Sequence, residues 1–133
     1  MTVRISRSLL AELIGRAAGQ DVEICGLLLG GADRIAGHVP STNVAPDPRR
    51  HFEVDPAVLI AAHRAARTGG AAAVIGHYHS HPTGLASPSM TDAQAARADG
   101  ALWLIIGGDG ARLWQAGDGG LWGRFTELAL CAE

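Results

Sequence analysis

The feature that most constrains this chain is its punctuation. Glycine clusters close its apolar runs before any of them outgrows a strand. Ile24-Cys25-Gly26-Leu27-Leu28-Leu29 stops at Gly30-Gly31, and Leu102 to Ile106 stops at Gly107-Gly108-Asp109-Gly110. Apolar runs this short, bounded by turn residues, read as buried strands. Arg34 to Val39 would pair with the first run across Gly-Gly-Ala-Asp, and Arg112 to Ala116 would pair with the second. Gly117 to Gly120 reads as a further turn before a last strand from Leu121 to Leu130, while Phe52 to Val54 and Ala72 to Ser80 read as two more strands. Helical spacing is confined to three segments. Ser6 can cap a helix to about Ala18, Asp55-Pro56 starts one that stops at Gly69-Gly70, and Ser89 opens an Ala-rich helix ending at Gly100. Three helices among about six strands, several joined by tight hairpins, give a mixed α/β fold with a partly antiparallel sheet flanked by helices.

Composition narrows the function classes. The 133 residues are 47% apolar, enough to bury a core in one domain spanning 1–133 and to exclude a disordered chain. Eleven cations, all Arg, stand against thirteen anions, and no basic stripe is present, so no nucleic-acid partner is expected. No apolar stretch reaches the roughly 20 residues of a membrane span. At the N-terminus, Arg4 and Arg7 before Leu9-Leu10 could mimic a signal peptide, but Glu12 interrupts the run and the apolar positions keep helical spacing. With only Cys25 and Cys131, no disulfide framework is possible, and a cytoplasmic location is expected.

Chemistry is concentrated in Gly76-His77-Tyr78-His79-Ser80-His81-Pro82 and, six residues on, Ser89-Met90-Thr91-Asp92. Residues two apart on a strand share a face, so His79 and His81 can reach one ion. Pro82 ends the strand, Ser89 caps the next helix, and Asp92 in its first turn can swing back as a third ligand. Two imidazoles and a carboxylate leave a fourth position open, which is the pattern of catalytic zinc. A structural site would want a fourth protein ligand, usually cysteine. Taken singly, Ser-x-x-Asp is a common helix cap and His-x-His an ordinary polar pair; the fixed spacing of all five residues is what carries the inference.

At these residues the sequence resembles the JAMM (MPN-plus) metalloprotease family, whose signature is an upstream Glu, His-x-His-Pro, a spacer and Ser-x-x-Asp. Glu23-Ile24-Cys25-Gly26-Leu27-Leu28-Leu29-Gly30 is similar to the family's Glu-bearing segment, and Asn43, Pro48, Phe52 and Asp55-Pro56 to its middle region. The resemblance implies an MPN domain of cytidine-deaminase-like layered architecture. It implies that His79, His81 and Asp92 bind zinc and that Glu23 is the general base, passing a proton from metal-activated water to the leaving amine. It further implies that Ser89 donates a hydrogen bond to the oxyanion. The expected activity is hydrolysis of an amide bond, favouring the C-terminal Gly of a ubiquitin-like or sulfur-carrier protein as partner. Without the zinc motif, Glu23 would read as a solvated residue at a strand start.

Other residues read more plainly. His77 stands where the family commonly has a bulky aromatic; it shares a face with His79 and His81 and reads as packed. His38, His51 and His63 lack ligand spacing. Cys25 reads as a small buried residue, and Trp103, Trp114 and Trp122 as core or interface positions on strands. The competing readings are a non-catalytic MPN scaffold, a RadC-like protein sharing His-x-His-Pro and Ser-x-x-Asp, and a structural zinc module.

Overall fold

The computed structural model describes residues 1–133. Its elements, in chain order, are β1 (Thr2–Ile5), α1 (Arg7–Ala17), β2 (Cys25–Gly31), β3 (Arg34–Ser41), α2 (Pro56–Arg67), β4 (Ala73–Ser80), α3 (Met90–Ala95), β5 (Leu102–Gly107), β6 (Gly110–Leu121) and β7 (Phe125–Ala132). The strands pair in the order β1-β3-β2-β4-β5-β6-β7, and β1 also pairs with β7, so the sheet closes on itself. β4 and β5 are parallel, as are β1 with β3 and β7; the remaining neighbours are antiparallel. The mixed α/β class expected from the sequence is the class observed.

Local chemistry explains the boundaries. Ser6 caps α1 by accepting from the Leu9 amide, and Asp55 caps α2 by accepting from Ala57, with Pro56 at the first helical position. Gly19 and Gly69, at φ 74° and 79°, supply the left-handed backbone after each helix. Gly76 is required by contact: a Cβ there would lie 2.0 Å from the Leu102 carbonyl oxygen across β4 and β5.

The strand alternation sorts side chains into two cores. Val3, Ile5, Leu28, Ile35, Tyr78, Leu104 and Leu113 gather with Leu13 of α1 on one face. On the other, Trp103, Ile105, Trp114 and Phe125 pack with Ala86, Ala93 and Ala96, and Phe52 leans on them. Parallel strands need a long crossover, and the one between β4 and β5 contains Pro82 to Pro88 and α3. Every downstream residue of the motif therefore lies between two strands that fix both of its ends.

Four expectations need correction. Thr2–Ile5 forms β1, a strand beyond those expected; it pairs along its whole length with residues 129–132 at the far end of the chain. Phe52 to Val54 is no strand but a single bridge from Val54 to Asn43. α3 stops at Ala95 and not at Gly100: the backbone is already extended at Ala96, and Asp99 accepts from the Ala101 amide at 3.0 Å in the turn that follows. Finally, β6 runs through Gly117 to Gly120, its register shifting between Ala116 and Leu121, and the turn falls after Leu121. Trp122 thus sits in a turn and not on a strand, whereas Trp103 and Trp114 are buried on β5 and β6.

Candidate metal centre

His79 is the penultimate residue of β4, and His81 follows the strand, so both rings leave the same face. Their Nε2 atoms are 3.2 Å apart. Asp92 Oδ1 lies 3.1 Å from His79 Nε2, and Asp92 Oδ2 lies 3.1 Å from His81 Nε2. Glu23, entering β2, completes the cluster: it, His79 and His81 each offer a ligand atom within 4.8 Å of the others, a group able to hold a metal ion. Glu23 is only 5% exposed, so the reading of a solvated residue at a strand start is excluded.

His81 is oriented for an ion, whereas His79 Nδ1 is buried without a hydrogen-bond partner. His81 Nδ1 is 2.8 Å from the Leu85 carbonyl, which can only accept. Nδ1 therefore carries a proton, which leaves Nε2 as the nitrogen that would offer its lone pair to a bound ion, the arrangement usual for a metal-bound histidine. His79 is fully buried and stacks on Phe52, with ring centroids 4.1 Å apart and planes 14° from parallel. Two ring nitrogens aimed at one another beside a carboxylate want a cation between them. Ligands about 2.0–2.1 Å from a tetrahedral centre stand about 3.3 Å apart, close to the 3.1 and 3.2 Å found here. The donor set therefore fits a metal ion of zinc's size and preferences.

The carboxylates differ in support. Asp92 Oδ2 accepts from the Ser89 amide at 2.9 Å, while Ser89 Oγ accepts from the Asp92 amide at 3.0 Å, a reciprocal capping box. Burial opposes its charge, but the bonds from His79 and His81 outweigh this and hold its pKa well below the carboxylate range. Glu23 has no such partners, and its Oε1 is buried without a hydrogen bond. Burial raises its pKa to about 7; Asp92 and Asp47 push the same way and His81 against them. Burial depresses the His79 pKa despite Asp92; at His81 burial acts downward too, but Asp92 and the Leu85 carbonyl raise it overall.

Around this cluster a polar cleft of about 280 Å³ opens, lined by Glu23, His81, Ser89 and Thr91, with Arg49 and Arg50 on one wall and Pro82 to Gly84 on the other. A larger groove of about 610 Å³, by Leu59, His63 and Leu102, contains none of Glu23, His79, His81 or Asp92.

The remaining candidates fall into place. His77 packs between Phe52 and Trp103, with centroids 5.0 and 4.3 Å away, and burial keeps it neutral by lowering its pKa to about 3. His38 is on the opposite face, paired with Glu12 and 3.0 Å from the Tyr78 hydroxyl. Cys25 is buried. Two residues matter more than the sequence reading allowed. Asn43 donates to the carbonyls of Glu23 and His51 and accepts from the amides of Ala45 and Glu53, tying the 43–53 loop to the Glu23 backbone. Phe52 supplies the plate under His79. An Asn among prolines was the available signal for the first; nothing local marks the second.

A closed mixed sheet with a His-x-His, Asp and Glu cluster at the end of a central strand defines a JAB/MPN-type domain. Residues 6–117 match the family described as prokaryotic homologs of the JAB domain, and the chain belongs to that family. It is 38% identical over 125 residues to the desampylase of Haloferax volcanii, an alignment covering 90% of this chain and 84% of that protein. It is 34% identical over 92 residues to a probable TtuB-protein conjugate cleaving protease of Thermus thermophilus, covering 69% and 61%. Among solved structures, a protein from Desulfitobacterium hafniense has the same fold at TM-score 0.80 and 23% identity, covering 99% of this chain and 93% of that one. A JAB1/MPN domain protein from Archaeoglobus fulgidus does so at 0.59 and 20%, covering 97% and 99%.

Proposed function

We propose that this chain is a zinc-dependent peptidase that cleaves the amide bond after the C-terminal Gly of a ubiquitin-like carrier protein. The observation that carries this reading is the convergence of His79, His81 and Asp92 at edges of 3.1 to 3.2 Å, with the buried Glu23 beside them. In it, His79, His81 and Asp92 are the ligands. Zinc held there supplies a Lewis acid that makes a water nucleophilic near neutral pH. Glu23, buried beside the ligands with one oxygen unpartnered, would take the proton from that water and pass it to the departing amine. Ser89 spends a lone pair on the Asp92 amide and keeps its hydroxyl hydrogen for the oxyanion.

The names of both curated relatives support the substrate class: one is a desampylase, the other a probable cleaver of TtuB-protein conjugates. The small polar cleft bounded by the 49–50 and 82–84 segments has room for a Gly-Gly tail, with the carrier's globular body adding remote binding energy. Such conjugates arise within cells, so the reading places the protein in the cytoplasm; no helix is long and apolar enough to cross a membrane.

The test is a paired cleavage assay on a carrier–peptide fusion joined through Gly-Gly and on the same fusion joined through Val-Val, with casein as a third substrate. Cleavage of the Gly-Gly junction at least about tenfold faster than the others is expected, since a branched side chain clashes beside the metal. Equal rates, or faster casein digestion, would mark a general peptidase.

A further inference from the structure

Trp122 is the only residue other than glycine with a positive φ, 58°. Side chains with a Cβ reach that region only at a cost. Its surroundings are rich in the residue that avoids the cost: Gly119 and Gly120 near the end of β6 and Gly123 in the turn all have left-handed φ values. A turn with no other duty would be better served by glycine at 122 as well. A strained, half-exposed tryptophan in such a place asks what its side chain does.

Its indole N–H donates to the Pro88 carbonyl at 2.9 Å. That carbonyl belongs to the same planar peptide group as the Ser89 amide, and the Ser89 amide donates to Asp92 Oδ2 at 2.9 Å. Oδ2 in turn faces His81 Nε2 at 3.1 Å. A single peptide plane therefore links Trp122 on one side to the Asp92 carboxylate on the other, and rotating it would move both. Hydrogen bonds in series through one amide also polarise one another. Just upstream, Trp114 Nε1 donates to the Ala86 carbonyl at 3.0 Å and the Ala86 amide donates to Asp109 at 2.7 Å, so the approach to Pro88 is anchored independently. Trp122 acts on the next carbonyl with a side-chain donor, that of the Pro88–Ser89 plane.

We propose that Trp122 is a positioning residue: through the Pro88–Ser89 peptide it sets the orientation of the Asp92 carboxylate and the Ser89 hydroxyl. The inference rests on the reading of Asp92 as a ligand and Ser89 as an oxyanion donor. It assigns the tip of the β6–β7 hairpin, far from the motif in sequence, to the geometry of the site.

The experiment compares wild type with Trp122→Phe, which keeps the ring and backbone strain but loses the donor, and Trp122→Gly, which loses the ring and relaxes the strain. Amide hydrogen exchange at Ser89 is read in the metal-free chain, zinc affinity by chelator competition, and kcat and KM on the Gly-Gly fusion. Both variants should exchange faster at Ser89 and bind zinc about tenfold more weakly, the usual size of an effect acting through a ligand's partner. kcat should fall with KM little changed. Trp122→Gly should melt no lower than wild type, which a merely structural tryptophan would not allow. Unchanged Ser89 exchange in both variants overturns the inference whatever the activity. Asp92→Ala in the same zinc titration separates the underlying reading: if it binds zinc like wild type, the ligand assignment has failed, and faster Ser89 exchange in the Trp122 variants would still establish the link.

Discussion

Glu23 and Asp92 are both buried carboxylates facing the same two imidazoles, yet the protein pushes their pKa values in opposite directions. Asp92 comes from a helix cap that gives it an amide donor and two imidazoles, so it stays charged. Glu23 comes from a loop that binds its backbone, through Asn43 and the Pro48 carbonyl, and leaves a carboxyl oxygen bare. The lesson is general: carboxylates pushed apart in pKa by their surroundings divide the labour of ligand and proton carrier. A carboxylate with both oxygens engaged is a poor base, and one whose charge is disfavoured by burial readily takes a proton.

The largest effect should come from breaking the partnered side. Asp92→Ala is expected to fall from about one zinc per chain to almost none and to lose cleavage entirely, because two imidazoles alone hold zinc poorly; elemental analysis of the purified variant checks this. Next comes the acidity of the unpartnered side. Glu23 in the metal-free chain should titrate near pH 7 by carboxyl carbon NMR, and lower once zinc is bound, since a nearby cation favours the charged form. In the zinc-loaded enzyme the cleavage rate should therefore fall about tenfold per unit of pH on the acid side of that lowered value.

The same asymmetry has a stability signature. The folded-state pKa of Glu23, about 7, lies above the ordinary value of 4.5, so the fold binds this proton more tightly than the unfolded chain does. Its contribution is fully present below about pH 4.5 and lost as pH rises through about 7. Metal-free Glu23→Gln should therefore melt above metal-free wild type at pH 8, by about 3–8 °C for a domain of this size, and the gap should shrink towards pH 5. A gap that widens on acidification would contradict the assignment. The smallest effect concerns Cys25, whose thiol burial and the Glu23 charge push up to about 11 while Ser41 pulls it down. In the folded chain only the exposed Cys131 should react with an alkylating reagent at pH 7.5, and Cys25 should join it in denaturant.

Much of the site was legible in the sequence because its parts are local. His-x-His on a strand and Ser-x-x-Asp at a helix start carry their own geometry, and the caps of α1 and α2 were readable for the same reason. What escaped was non-local or set by context. The closure through β1 depends on pairing residues 2–5 with 129–132, which no periodicity in a four-residue strand announces. The burial of Glu23 needs Asn43 and Pro48 to fold back over it. Trp122 looked like a strand residue because Gly117 to Gly120 has the composition of a turn; the chain instead absorbs those glycines in an irregular stretch of β6. Gly120 allows this, since a Cβ there would lie 2.0 Å from the Phe125 carbonyl oxygen.

The most direct test of the division between the two carboxylates is to measure zinc content and cleavage of the Gly-Gly fusion on the same samples of wild type and Glu23→Gln. The expected result is about one zinc per chain in both, with turnover lowered about 10²–10⁴-fold in the variant, the usual worth of a general base. Loss of zinc from Glu23→Gln, or turnover above a tenth of wild type with zinc retained, would contradict it.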